Sequence, residues 1–292
     1  MEPRPRRPVR SRWALRALCA ALLAAGAIPA CRGEADAERP WSVQLHVHGS
    51  FSEGVGSIDS HAHEAREVGC DVVWWSDHDF RVLTYDVRGH GQSGATSGFY
   101  SIDLLARDVV ALWDKLGIKK SHFCGLSLGG ITGLQLGIAH GDRCEKLVIC
   151  DCRGDSPPDQ LTQWAQRREV VIEKGMTAMV APSIDPWFNA TLKKDYADSI
   201  AALARTIEET AIEGYCGCAG ALANLDQAAN VTKIKNQTLF LVGSEDGPFP
   251  GLMKAMHQDL KGSAYVVIQN ATHVSNLTHP KEFNSAVRKF LG

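Results

Sequence analysis

An excess of charge of either sign is missing from this chain: 31 Lys and Arg stand against 33 Asp and Glu over 292 residues, a net charge of -2. No broad basic surface for nucleic acid follows from that balance. Also missing is an apolar run long enough to cross a bilayer in comfort. The longest lies at Leu18 to Ala30, behind Arg4, Arg6, Arg7, Arg10, Arg12 and Arg16, and falls short of the roughly 20 residues a spanning helix needs. Zinc-type cysteine spacing is absent too. Cys150-x-Cys152 and Cys216-x-Cys218 hold one residue between the thiols, where structural zinc pairs use two or more. With 45% hydrophobic residues, the chain has enough apolar material to bury a sizeable core.

The basic and apolar N-terminus has the pattern of a signal peptide over residues 1–31. Its end, Ile28-Pro29-Ala30-Cys31, resembles a bacterial lipoprotein cleavage box with Cys31 as the lipidated residue. Membrane contact would then come only through that anchor. The remaining cysteines, Cys70, Cys124, Cys144, Cys150, Cys152, Cys216 and Cys218, are odd in number and lie mainly in apolar stretches, which reads as reduced, buried thiols. Free thiols fit a reducing cytosol and a signal peptide fits export, so the two ends imply different compartments.

A first block follows at residues 41–80. Period-two alternation predicts a strand at Val43 to Val47 and puts His46 and His48 on one face, with Glu53 on the next loop. Ser57 to Gly69 carries helix signals, and Val72 to Trp75 reads as a buried strand leading into Ser76-Asp77-His78-Asp79. These residues resemble the start of a PHP-type metal-dependent phosphoesterase. That resemblance implies a divalent metal held by His46, His48, Glu53 and His78, although nothing after Phe80 supplies the further ligands of a complete site.

Between Val72–Trp75 and the next strand candidate, Val82 to Asp86, only Ser76 to Arg81 intervene. Both suit a parallel sheet, yet parallel neighbours need a crossover of a dozen or more residues. The expectation is a fusion at this seam, with a second domain at residues 81–292.

In that domain the residues Ser121-His-Phe-Cys-Gly-Leu-Ser127-Leu-Gly-Gly130 form an apolar run ending in Gly-x-Ser-x-Gly. The pattern predicts a strand, a tight turn and a helix. Ser127 is the candidate nucleophile, Gly125, Gly129 and Gly130 leave room for close chain approach, and the N–H of Leu128 points at a developing oxyanion. Tyr100 to Leu116 reads as an amphipathic helix stopped by Gly117, and Lys146 to Asp151 as a buried strand. Residues of about 153–226 have the composition of helices broken by Gly175, Pro182, Pro186 and Gly214, expected to be a lid over a cleft. Strands return at Gln237 to Gly243, followed by Glu245 and Asp246, and at Ala264 to Ile268, followed by His273. Asp246 and His273 are the candidate acid and base, with Glu245, His257 and His279 as competitors. The order Ser, Asp, His, each just past a strand, fits an open α/β sheet with its ligands at the carboxyl edge.

From Arg81 onward the chain resembles the 3-oxoadipate enol-lactonases. The residues that carry the likeness are Tyr85-Asp-Val-Arg-Gly-His-Gly91, His122 to Gly130, Gly214-Tyr-Cys-Gly-Cys218 with Leu225-Asp226, and Thr272-His-Val-Ser-Asn-Leu277. It implies an α/β-hydrolase fold with a helical lid, hydrolysis of a small carboxylate-bearing lactone through an acyl-enzyme, and no cofactor. In such a fold the second oxyanion donor comes from a loop after the third strand, a segment the joined chain lacks. Val43 to Val47 with His48-Gly49-Ser50 mimics it, making Gly49 the candidate second donor.

Overall fold

The computed structural model describes residues 43–47, 72–76 and 81–292, and the boundary between two units falls after Thr84. In the first unit, β1 (Val43–Val47) pairs parallel with β2 (Val72–Ser76), with Val43 opposite Val72 and Val47 opposite Trp75. β2 pairs antiparallel with β3 (Arg81–Leu83), placing Ser76 opposite Arg81. This reversal departs from the parallel pairing that the two strands suit by sequence. A short link cannot return a parallel strand, but it can close an antiparallel pair. β3 also stops at Leu83, short of the expected Asp86, and the next four residues carry no regular structure.

The second unit begins with helix α1 (Ile102–Lys115), whose boundaries follow from local chemistry. The Ser101 hydroxyl accepts the Leu104 N–H at 3.1 Å, Asp103 lies in the first turn and Lys115 in the last. Gly117, at φ 70°, turns the chain out of the helix. Its buried face is Ile102, Leu105, Ala106, Val109 and Trp113, the spacing of a single helical stripe.

Next come β4 (Ser121–Leu126), α2 (Leu128–Ala139) and β5 (Cys144–Cys150). α2 is apolar nearly all round and buries Ile131, Leu134 and Leu136, as a helix inside a core must. A helical insertion follows: α3 (Pro158–Lys174), α4 (Val180–Trp187), α5 (Ala190–Asp195), α6 (Ala197–Glu209) and α7 (Ile212–Ala223). Its two ends are stitched together, Ser156 N–H to Leu225 C=O at 2.9 Å and Gln227 N–H to Gly154 C=O at 2.7 Å.

Of the four expected breaks in the insertion, Gly175 alone ends a helix, at φ 76°. Pro182 sits in the first turn of α4, where the backbone N–H has no intrahelical acceptor to lose, and Pro186 lies one residue from that helix's end. Gly214 lies within α7, and its role is close packing. A Cβ there would stand 2.1 Å from the Gly89 carbonyl oxygen. The Arg-Gly-His turn and the Gly-Tyr-Cys-Gly-Cys segment, far apart in sequence, are therefore pressed together backbone to backbone.

The chain then adds β6 (Gln237–Gly243), α8 (Phe249–Asp259), β7 (Ala264–Ile268), α9 (Ser275–Thr278) and α10 (Pro280–Leu291). The four strands of this unit are all parallel in the order β4-β5-β6-β7. Leu147, Val148 and Ile149 of β5 and Leu239, Phe240, Leu241 and Val242 of β6 are buried, the near-continuous apolar reading of strands covered on both faces. This is the expected α/β architecture. Because the strands are parallel, the residues just after each one share one edge of the sheet.

Candidate active site

Four chemically active side chains stand at that edge. Ser127 follows β4, Asp151 follows β5, Asp246 lies three residues past β6, and His273 five past β7.

Ser127 has φ 55° and ψ -116°, a conformation that costs a non-glycine residue on the order of 1–3 kcal/mol and persists only where its surroundings impose it. Here its N–H reaches the Cys150 carbonyl at 2.9 Å, and its C=O accepts the Ile131 N–H at 2.9 Å to start α2. Gly125 makes the elbow possible: a Cβ at that position would lie 2.2 Å from the Gly129 carbonyl oxygen. At Gly130 a Cβ would come within 2.9 Å of the Cys150 carbonyl oxygen. Gly129 corrects the expectation, since a Cβ there would meet nothing within 4 Å; the tight approach uses its carbonyl and not its missing side chain. Leu128 is the first residue of α2, so its N–H is one of the four without an intrahelical acceptor and lies at the positive end of the helix.

His273 and Asp246 meet. The imidazole Nδ1 lies 2.8 Å from Asp246 Oδ2, with both residues buried. The carboxylate accepts the Nδ1 proton and so leaves Nε2 as the ring's base. The His273 ring is further held by Trp187, stacked at 6.1 Å between centroids, and by Phe249 at 5.3 Å. The competitors are engaged elsewhere. Glu245 accepts Asn189 Nδ2 at 2.9 Å, His257 Nδ1 contacts Ser263 Oγ at 2.7 Å, and His279 Nδ1 contacts Thr278 Oγ1 at 2.9 Å.

The acid turn and histidine loop are bound together by main chain. Ser244 N–H donates to Ile268 C=O at 2.9 Å, Glu245 N–H to Ala271 C=O at 2.8 Å, and Asn270 N–H to Ser244 Oγ at 2.8 Å. The helical insertion reaches the same loop. Thr272 Oγ1 donates to Trp187 C=O at 2.5 Å, Tyr196 OH donates to Thr278 C=O at 2.6 Å, and Val274 and Leu277 pack on Ile184, Phe188 and Leu192.

Asp151 escaped the sequence reading. It is wholly buried, at φ 44°, and burial, reinforced by the neighbouring Asp246, pushes its carboxyl up to about 8. The available signal was an acid immediately after an uninterrupted apolar strand, at the edge where this architecture gathers its chemistry.

Burial also raises the thiols of Cys144, Cys150, Cys152 and Cys218, which keeps them protonated as the sequence implied. Cys124 differs: it is exposed, on the edge strand β4. Among the described residues no group of three or more His, Cys, Asp or Glu side chains could hold a metal ion. His48, Glu53, His78, Gly49 and Cys31 lie outside the described residues, and His46 contributes only its strand backbone. A surface depression of ≈ 440 Å³ lined by Lys120, His122, Glu145, Lys146 and Lys235 lies at the opposite, amino edge of the sheet, away from this chemistry.

A family model for the alpha/beta hydrolase fold matches residues 72–280. Its first residue falls inside the block at 41–80 in which sequence suggested a metal phosphoesterase. The 3-oxoadipate enol-lactonase 2 of Acinetobacter baylyi is 31% identical over 218 residues, covering 74% of this chain and 80% of that protein. Enol-lactonase 1 of the same organism is 33% identical over 229 residues, covering 75% and 84%. Among solved structures, the enol-lactonase of Burkholderia xenovorans LB400 superposes with a TM-score of 0.71 at 30% identity, over 86% of this chain and 91% of that one.

Proposed function

The chain belongs to the alpha/beta hydrolase family, and from that premise we propose that it is a serine hydrolase that opens a small enol-lactone bearing a carboxylate. The observation that carries this reading is the buried contact of 2.8 Å between His273 Nδ1 and Asp246 Oδ2, at the sheet edge that also carries the strained Ser127 elbow. The lactone assignment is supported by relatives named for that activity at 31% and 33% identity.

In the proposed reaction His273 Nε2 takes the proton of Ser127 Oγ as the oxygen attacks the lactone carbonyl. Asp246 holds the imidazole in the tautomer that can accept it and stabilises the imidazolium formed. The Leu128 N–H and the N-terminal dipole of α2 stabilise the oxyanion. Collapse breaks the ring C–O bond, and the imidazolium of His273 gives its proton to the leaving enolate, which stays tethered to the acyl chain in its keto form. His273, neutral again, then removes a proton from water as the water oxygen attacks the Ser127 ester, and it returns that proton to Ser127 Oγ as the keto acid is released. Three side chains and water account for every proton, so no cofactor is invoked. The half-buried rings of Trp187 and Phe249 pack beside His273, which is itself buried with Asp246, and in that drier setting their interaction is stronger than in water.

The test is hydrolysis of a carboxylated enol-lactone, followed by loss of the enol-lactone absorbance and by detection of the keto acid. Hydrolysis by the wild-type chain and none by Ser127→Ala is expected. Turnover of simple aryl esters without turnover of the lactone would contradict the substrate assignment.

A further inference from the structure

The buried carboxyl of Asp151 joins the two loops on which the proposed mechanism depends. Its Oδ1 accepts the Gly243 N–H at 2.8 Å, and its Oδ2 accepts the Ser275 hydroxyl at 3.2 Å. Gly243 is the last residue of β6, three before Asp246, and Ser275 is two after His273. The groups facing this carboxyl are the carboxyl of Asp246 and the thiols of Cys150 and Cys152, with His273 on the far side of Asp246. Two carboxylates cannot both ionise cheaply in so dry a place. An asparagine would accept from Gly243 with the same geometry and never change charge. An acid can also switch from a neutral neighbour of Asp246 to a repelling one.

We propose that Asp151 is a positioning residue for the hydrolase: its carboxyl clamps the Asp246 and His273 loops together through the Gly243 N–H and the Ser275 hydroxyl, and on ionising it keeps these bonds but sets a second anion against Asp246. The inference rests on the reading of Ser127, Asp246 and His273 given above. Ionisation releases the proton to solvent and leaves a second anion beside Asp246. Burial is the main reason the proton is held, the Gly243 N–H pulls the other way, and Asp246 adds to the upward push, so the change falls near pH 8.

The test compares the wild-type chain, Asp151→Asn and Asp151→Ala on phenyl acetate, a substrate that does not titrate, with Ser127→Ala as the blank. Wild-type kcat/KM is expected to fall as pH passes about 8. In Asp151→Asn that fall should disappear, with kcat at neutral pH reduced only about two- to fivefold, whereas Asp151→Ala should lose roughly ten- to a hundredfold in kcat with little change in KM. An alkaline fall that persists unchanged in Asp151→Asn, or wild-type kcat in Asp151→Ala, would overturn the proposal.

A second readout is independent of turnover. Infrared difference spectra between wild type and Asp151→Asn at neutral pH should contain a protonated-carboxyl band that vanishes above about pH 8. Its absence would overturn the neutral clamp. A chain that shows the band but has no Ser127-dependent hydrolysis would contradict the hydrolase reading and leave the neutral clamp standing.

Discussion

The orientation of one imidazole is the narrowest requirement in this molecule. Asp246 fixes it from Nδ1 at 2.8 Å, within a site that excludes most solvent. Asp246→Asn keeps the shape but presents an amide that favours the wrong tautomer, so kcat is expected to fall on the order of 10³–10⁴-fold with KM changed little. Steady-state kinetics on any accepted ester measures this. Gly125→Ala drives a Cβ to 2.2 Å from the Gly129 carbonyl oxygen, and should destabilise the fold by about 1–3 kcal/mol or more in urea unfolding. At this scale sequence pointed to residues whose type is diagnostic. Ser127 stood in a pattern, and Asp246 and His273 followed strands in the right order. It was silent on Asp151, because an acid after a strand is usually solvated and burial is a property of the assembled sheet edge. It also overstated Gly129, since composition does not tell which glycine lies against a neighbour and which faces open space.

The elements that meet at the site are the histidine loop and the helical insertion. Thr272 binds the last residue of α4, whose ring stacks on the next residue, His273. Thr272→Val removes that hydrogen bond in nearly the same volume. Its expected cost is about 1 kcal/mol of stability, and kcat/KM should fall roughly three- to tenfold as Trp187 loosens over the imidazole. Thermal unfolding and kinetics on the same sample would show both. Helix α1, the strands of the second sheet and the presence of inserted helices were all legible from caps, apolar runs and periodicity. The antiparallel return of β3 was not. Strand candidates carry no direction, and the reading assumed parallel pairing where a four-residue link permits only a reversal. Pro182 and Gly214 misled for a related reason: in the first turn of a helix the penalties they carry mid-helix do not apply.

For the whole molecule, the charge balance near neutrality leaves pH sensitivity to a few buried groups, and Asp151 is foremost among them. Its folded carboxyl near 8 lies above the ordinary 3.8. Between these values the folded chain holds a proton that the unfolded chain has released. The stability tied to this group is therefore full below about pH 4, declines as pH rises and is lost beyond about pH 8. Asp151→Asn removes the titration, so urea unfolding across this range should show the variant gaining on the wild type as pH rises; a constant difference would contradict the assignment. The central claim is that Ser127 is an activated nucleophile served by His273. The most direct measurement is fluorophosphonate labelling of the purified chain, with the adduct located by mass spectrometry and Ser127→Ala and His273→Ala as controls. The account predicts a single adduct on Ser127, absent in the first variant and slowed at least about 10³-fold in the second. A folded wild-type chain that takes up no probe, or takes it up at another serine, would contradict it.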